Sequence, residues 1–145
     1  MKLGAIRNRA LLWTIFVVLC VASFLAWVHK QWKAEAEKVV AKYFEAIDWK
    51  ERGETIVALQ PIFFSQRSPD ELGRSLDELS AKFGSIRSFS IYFWHTHSGS
   101  GIAGNGTYVV LHCQSVYSKA SAQEDFTLFK HFGDLGFKIV DHGFD

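Results

Sequence analysis

The pattern of hydrophobic and polar positions divides the chain near residue 28. Residues 10–28 are a run of 19 residues without a charge. As a helix rising about 1.5 Å per residue, the run reaches roughly 28 Å, close to the thickness of a bilayer's hydrocarbon core. It is apolar on every face, which fits lipid rather than one buried stripe. Lys2, Arg7 and Arg9 precede it, and His29, Lys30 and Lys33 follow. Trp13, Trp27 and Trp32 lie near its ends, where indole rings favour the headgroup region. The expectation is a retained transmembrane anchor. The alternative is a cleaved signal peptide, since Cys20-Val21-Ala22 and Val21-Ala22-Ser23 place small residues at a cleavage spacing. Cleavage there would leave residues 24–28 as an exposed apolar tail. Leu19 precedes Cys20, where lipoprotein processing needs a small residue.

Beyond the anchor the period becomes that of an amphipathic helix. Over residues 33–48, Val39, Val40, Tyr43, Phe44 and Ile47 recur at three-and-four spacing. Nothing between Val28 and Ala34 breaks a helix, so the anchor can run straight into this one. Asp48 and Glu51 have the spacing of a capping box for a second helix over 48–64, ending in the apolar plug Ile62-Phe63-Phe64. Ser68-Pro69-Asp70-Glu71 is a sharper start: Ser68 caps, Pro69 suits the first helical position and Glu71 completes the box. Leu72, Leu76, Leu79 and Phe83 make its stripe, and Gly84 ends it.

After Gly84 the period drops to two, the mark of strands. Residues 86–96 alternate, with Phe89, Ile91 and Phe93 on one face and Tyr92 and Trp94 on the other. Ser98 to Gly106 reads as a loop, with Asn105-Gly106 as its turn. Residues 107–118 alternate again, with Val109, Leu111, Cys113 and Tyr117 facing inward. Residues 123–131, with Phe126 and Leu128 inward, and 137–142 complete four antiparallel strands. The predicted fold class is α+β: an N-terminal transmembrane helix, then three helices packed on a four-stranded antiparallel curved sheet. The expected boundaries are a tail at 1–9, the anchor at 10–28, a juxtamembrane segment at 29–33 and one domain at 34–145.

The long first helix, the helix ending in Phe63-Phe64, the capped helix 68–83 and the meander together resemble the nuclear transport factor two-like (cystatin-like cone) superfamily. Gly106-Thr107-Tyr108-Val109 and Gln123-Glu124-Asp125-Phe126-Thr127-Leu128 resemble strand starts in its small membrane-anchored bacterial members of unassigned activity. The resemblance covers residues 34–144. It implies a cone between helices and sheet and, in some relatives, a carboxylate or His–Asp pair acting as a general base there.

Composition narrows function by exclusion. A net charge of +1 and scattered arginines give no basic patch for nucleic acid. Cys20 in the anchor and Cys113 in the domain cannot form a disulfide framework. The 13 phenylalanines can fill a core or line a cavity. Lys/Arg counts on the two sides of the anchor nearly tie. The short tail resembles an N-inside signal anchor, so the domain is expected outside the cytoplasm, at the inner (plasma) membrane as a single-pass protein.

Candidate chemistry is sparse. His95 and His97, two apart on one strand face, can share a metal. They continue the inward Phe89, Ile91 and Phe93 row, while His112 falls on the opposite side by alternation; a third ligand is missing. No Ser-His-Asp or Cys-His arrangement is readable, and no catalytic residue or cofactor is assigned. The glycine-rich stretch 99–106 precedes a strand, not the helix a phosphate loop needs. Phe89, Ile91, Phe93, Leu111, Cys113 and Phe126 are the expected lining of a ligand cavity. Tyr92, Trp94, Tyr108, Val110 and Phe129 fall on the other face, as an aromatic patch fit for a homodimer or a protein partner. The expected function is a membrane-anchored, non-catalytic binding module, for a small apolar ligand in the cone or a partner on the sheet. The alternative is a small cavity enzyme of isomerase, dehydratase or hydrolase type. Polar groups converging in the cavity would favour that alternative.

Overall fold

The computed structural model describes residues 3–48 and 69–144. These residues form α1 (Leu3–Asp48), α2 (Pro69–Phe83), β1 (Ile86–Gly101), β2 (Gly104–Tyr117), β3 (Ser121–His131) and β4 (Lys138–Phe144). The architecture is α+β, an N-terminal apolar helix and one antiparallel four-stranded sheet of order β1-β2-β3-β4. The helix count differs from expectation. The described residues contain two helices, because the anchor, the 29–33 segment and the first domain helix are one continuous α1. No proline, glycine or turn residue interrupts residues 28–34. The helix expected over 48–64, with its Phe63-Phe64 plug, lies outside the described residues.

Contacts divide the chain into two compact units, Met1–Trp32 and Lys33–Asp145. In the first, every residue from 11 to 27 is exposed. Among the described residues, α1 is the one helix long and apolar enough to cross a membrane, and a signal sequence has the same character.

In the second unit α1 buries Ala36, Val40, Tyr43 and Phe44, the three-and-four spacing of one face. This face packs on the inner face of the sheet. Tyr43 and Phe44 lie 5.9 and 5.4 Å from the Phe126 ring, and Phe44 is 5.2 Å from Phe89. Lys130 of β3 pairs with Glu35 of α1 at 3.2 Å. Val109, Leu111, Cys113, Phe126, Leu128 and Ile139 add fully buried side chains from the sheet to this core.

α2 opens at Pro69 with Asp70 and Glu71 in its first turn and closes with Lys82 in its last, charges that complement the helix dipole. Leu76, Leu79 and Phe83 are half-buried. Gly84 stops the helix at φ +80°, and its amide donates back to the Ser80 carbonyl at 2.9 Å. A Cβ at Gly84 would overlap the Ser118 hydroxyl. Glycine is therefore needed here both for its backbone freedom and for its lack of a side chain.

The sheet departs from simple alternation in three places, the first between Ile86 and Ser88 at the start of β1. A register shift between Ile91 and Phe93 pairs Ile91 with Cys113 but Phe93 with His112. This is a β-bulge, which re-aims every side chain after it. Phe89 and Ile91 stay inward, as expected. Phe93 turns outward and is 55% exposed. Trp94, expected outward, faces inward opposite buried Leu111 and is half-buried. His95 and His97 move to the outer face, and His112 is there with His95 rather than opposite it. A third shift, between Thr127 and Leu128, bulges β4 near Val140.

The expected loop over 98–106 is mostly strand. Ser98 pairs with Thr107, Gly99 with Gly106, and Ser100 with Asn105, so the turn falls at Ile102-Ala103 instead of Asn105-Gly106. Tyr108 holds the tip in place. Its hydroxyl accepts from the Ala103 amide at 3.1 Å and donates to the Gly104 carbonyl at 2.8 Å. A Cβ at Gly101 would overlap the Tyr108 ring. Tyr108, Phe129 and Val140 thus form a small buried cluster on the outer face, with Ala103 against it.

Candidate functional site

Four polar side chains from four elements meet inside the domain. Tyr43 comes from α1, Tyr117 from β2, Glu124 from β3 and His142 from β4. His142 Nε2 lies 2.7 Å from Glu124 Oε2, with the two side chains 4% and 0% exposed. The Tyr117 hydroxyl donates to Glu124 Oε1 at 2.6 Å. His142 Nδ1 lies 3.2 Å from the Tyr43 hydroxyl. One set of roles satisfies every atom: Tyr43 donates to Nδ1, Nε2–H donates to the carboxylate, and Tyr117 donates to its other oxygen. The imidazole is also clamped by rings, 4.1 Å from Phe126 and 4.4 Å from Phe144.

The surroundings are buried. Burial and the neighbouring Glu124 carboxylate push the Cys113 thiol up to about 12, leaving it a neutral core group rather than a nucleophile. Burial and the bond to Glu124 likewise raise the Tyr117 hydroxyl above its ordinary range. Ser115 Oγ is buried without a hydrogen-bond partner among the described residues. A cleft of about 30 Å³ reaches Tyr117 and His142 between Phe44, Leu79 and Phe144. That is room for one or two waters. A wider, open groove of about 400 Å³ lies between α1 and β1, lined by Phe44, Glu45, Arg87 and Phe89 among others.

The outer face carries a different set. Tyr92 is 57% exposed and Phe93 nearly as much. Their rings lie 6.2 and 5.3 Å from that of His112, and Phe93 is 5.9 Å from His95. His112 Nδ1 meets Asp125 Oδ1 at 2.6 Å. Across the sheet, His97 stacks flat on Tyr108, 4.8 Å between centroids.

Of the residues expected to line a cavity, Phe89 and Ile91 are half-buried on the inner face, and Leu111, Cys113 and Phe126 are fully buried core groups. Phe93 is not among them. Of the residues expected on an interface, Tyr92 is exposed and Val110 half-buried, while Tyr108 and Phe129 are packed into the hairpin cluster and Trp94 faces inward. Among the described residues no group of three or more His, Cys, Asp or Glu is placed to hold a metal ion. Sequence reasoning missed the Glu124–His142 pair. Glu124 continues the inward Phe126 and Leu128 row, the one local signal available. The bulge in β4 hides the direction of His142. No family model matches the chain, and neither a curated protein nor a solved structure matches it.

Proposed function

We propose that the protein is a single-pass membrane-anchored binding module of the cone-shaped, nuclear transport factor two-like type. Its domain stands outside the cytoplasm and binds a protein partner, a second copy included, through the outer face of the sheet. One observation carries the reading. Tyr92 and Phe93 sit side by side at a bulge in the middle of a 16-residue strand, 57% and 55% exposed. Aromatic side chains bury about 150–250 Å² each and are costly to leave in water. Bulges often re-aim side chains at functional places, and tyrosine is a frequent interface anchor. The small-ligand form of the same reading rests on the open groove beside Phe44 and Phe89. The test is a photo-crosslinking residue placed singly at 89, 92 and 93 in the full-length protein in its native membrane. The reading expects protein adducts at 92 and 93 and none at the half-buried 89. Adducts at 89 alone, or at none of the three, would overturn it.

A second reading, a small cavity enzyme, is favoured by the convergence of Glu124, His142, Tyr43 and Tyr117. A carboxylate orienting an imidazole is the usual arrangement of a general base. Two features weigh against it. Every polar atom of the Glu124–His142 pair is already engaged within the protein. The adjoining cleft is also about a tenth of the roughly 300 Å³ that a small-molecule site needs.

A further inference from the structure

The bulge at residues 91–93 places His95 and His112 on the same side of the sheet. His112 pairs with Phe93 and His95 with Val110, so the two imidazoles are diagonal neighbours across β1 and β2. Their centroids are 6.0 Å apart and their planes 29° apart. An ion about 2.0–2.1 Å from each of two imidazole nitrogens holds the ring centroids roughly 4.5–5.3 Å apart at angles of 90–110°, and up to about 6.4 Å when linear. The observed separation is within about 1.5 Å of the bent geometries, a gap that a rotamer change of exposed His95 can close.

His112 is also prepared for such a role. Its Nδ1 lies 2.6 Å from Asp125 Oδ1. With the carboxylate accepting there, Nδ1 carries the proton, and in the neutral ring Nε2 keeps its lone pair. Carboxylate support of this kind is what metal-bound histidines usually have. The Asp125 side chain is 45% exposed and that of His112 25%, so an ion can reach the ring from solvent. His95 is exposed and can change rotamer to meet it. Phe93, 5.3 Å from His112 and 5.9 Å from His95, walls one side. His97, two residues along the strand, is held flat against Tyr108 instead.

We propose that His95 and His112 chelate one divalent first-row transition ion, with water completing its shell and Asp125 as a positioning residue. No third protein ligand joins them among the described residues, so the site is open. Imidazole ligands suit Cu(II), Ni(II) and Zn(II), with Cu(II) the tightest. The proposal does not depend on the outer face binding a protein.

The test is titration of untagged, detergent-solubilised full-length protein with Cu(II) and Ni(II), read by calorimetry and, for Cu(II), by the nitrogen couplings in its paramagnetic resonance spectrum. The expected result is one saturable ion per chain with two coordinated nitrogens. His95→Ala and His112→Ala should each weaken binding about tenfold or more, and Asp125→Asn about 10–100-fold with two nitrogens retained. His97→Ala should leave affinity unchanged. His95 is exposed, so its variant folds independently of the site. No saturable binding, or equal loss on His97→Ala and His95→Ala, or two nitrogens surviving His112→Ala, would overturn the proposal.

Discussion

Replacing Glu124 by alanine is the most severe single change the buried network offers. The carboxylate is fully buried and accepts from both Tyr117 and His142. Glu124→Ala leaves the Tyr117 hydroxyl and His142 Nε2–H without acceptors, at about 1–3 kcal/mol each. It also opens a void in the core, which adds to the cost. A total of about 3–6 kcal/mol is expected, in line with the loss from breaking a buried pair. For a domain of this size that is a fall in Tm of more than about 12 °C. Glu124→Gln is the control. Its amide oxygen can accept from His142 and its NH₂ can donate to the Tyr117 oxygen. The expected loss is then only about 1–3 kcal/mol, from the lost charge assistance and the Tyr117 O–H turned away from its former acceptor. Urea unfolding of the solubilised full-length protein, followed by tryptophan fluorescence, measures both. If alanine costs no more than glutamine, the chain of hydrogen bonds does not hold the core together. If alanine stabilises the protein, Glu124 is strained in place, as functional carboxylates often are, and the enzyme reading gains.

The neutral forms of Cys113 and Tyr117 are favoured on folding, because burial raises both. Their contribution is complete below the unfolded pKa, 9.0 for the thiol, and is lost as pH rises toward about 12; the thiol alone gives about 1.4 kcal/mol per pH unit. Cys113→Ala should flatten the stability profile across that window, and an unchanged profile refutes the assignment. Gly106→Ala should destabilise strongly, since its Cβ would overlap the Lys130 carbonyl of β3, whereas Gly143→Ala meets nothing within 4 Å; equal melting temperatures for the two would contradict the register. Ser100, exposed near the hairpin tip, reports topology. Ser100→Cys in cells should react with a membrane-impermeant thiol reagent without breakage of the inner membrane, and reaction only after breakage reverses the orientation.

The sequence was most legible where structure is local. Val40, Tyr43, Phe44 and Ile47 mark the buried side of α1 because helix period is set by neighbours three and four residues away. Pro69-Asp70-Glu71 and Gly84 bracket α2 for the same reason. Long-range pairing was not legible. The bulge after Ile91 is fixed by the register with β2, and a single extra residue reverses Phe93, Trp94, His95 and His97 together. Trp94, read from alternation as an interface anchor, therefore belongs to the inner face. Asn105-Gly106 is a strong turn signal by itself, yet cross-strand pairing and the Tyr108 hydroxyl move the turn to Ile102-Ala103. Tyr43 and His142 are 99 residues apart, so nothing local to either marks their contact.

The central claim, that the outer face around Tyr92 and Phe93 is where the domain engages a partner, is tested most directly by native mass spectrometry. The samples are the full-length protein extracted gently from its own membrane and its Tyr92→Asp/Phe93→Asp variant. The account predicts a species heavier than the monomer for the wild type, lost in the variant while its thermal melt is unchanged. A wild type that stays monomeric at micromolar concentration with no protein bound, or a complex that survives the double substitution, would contradict it.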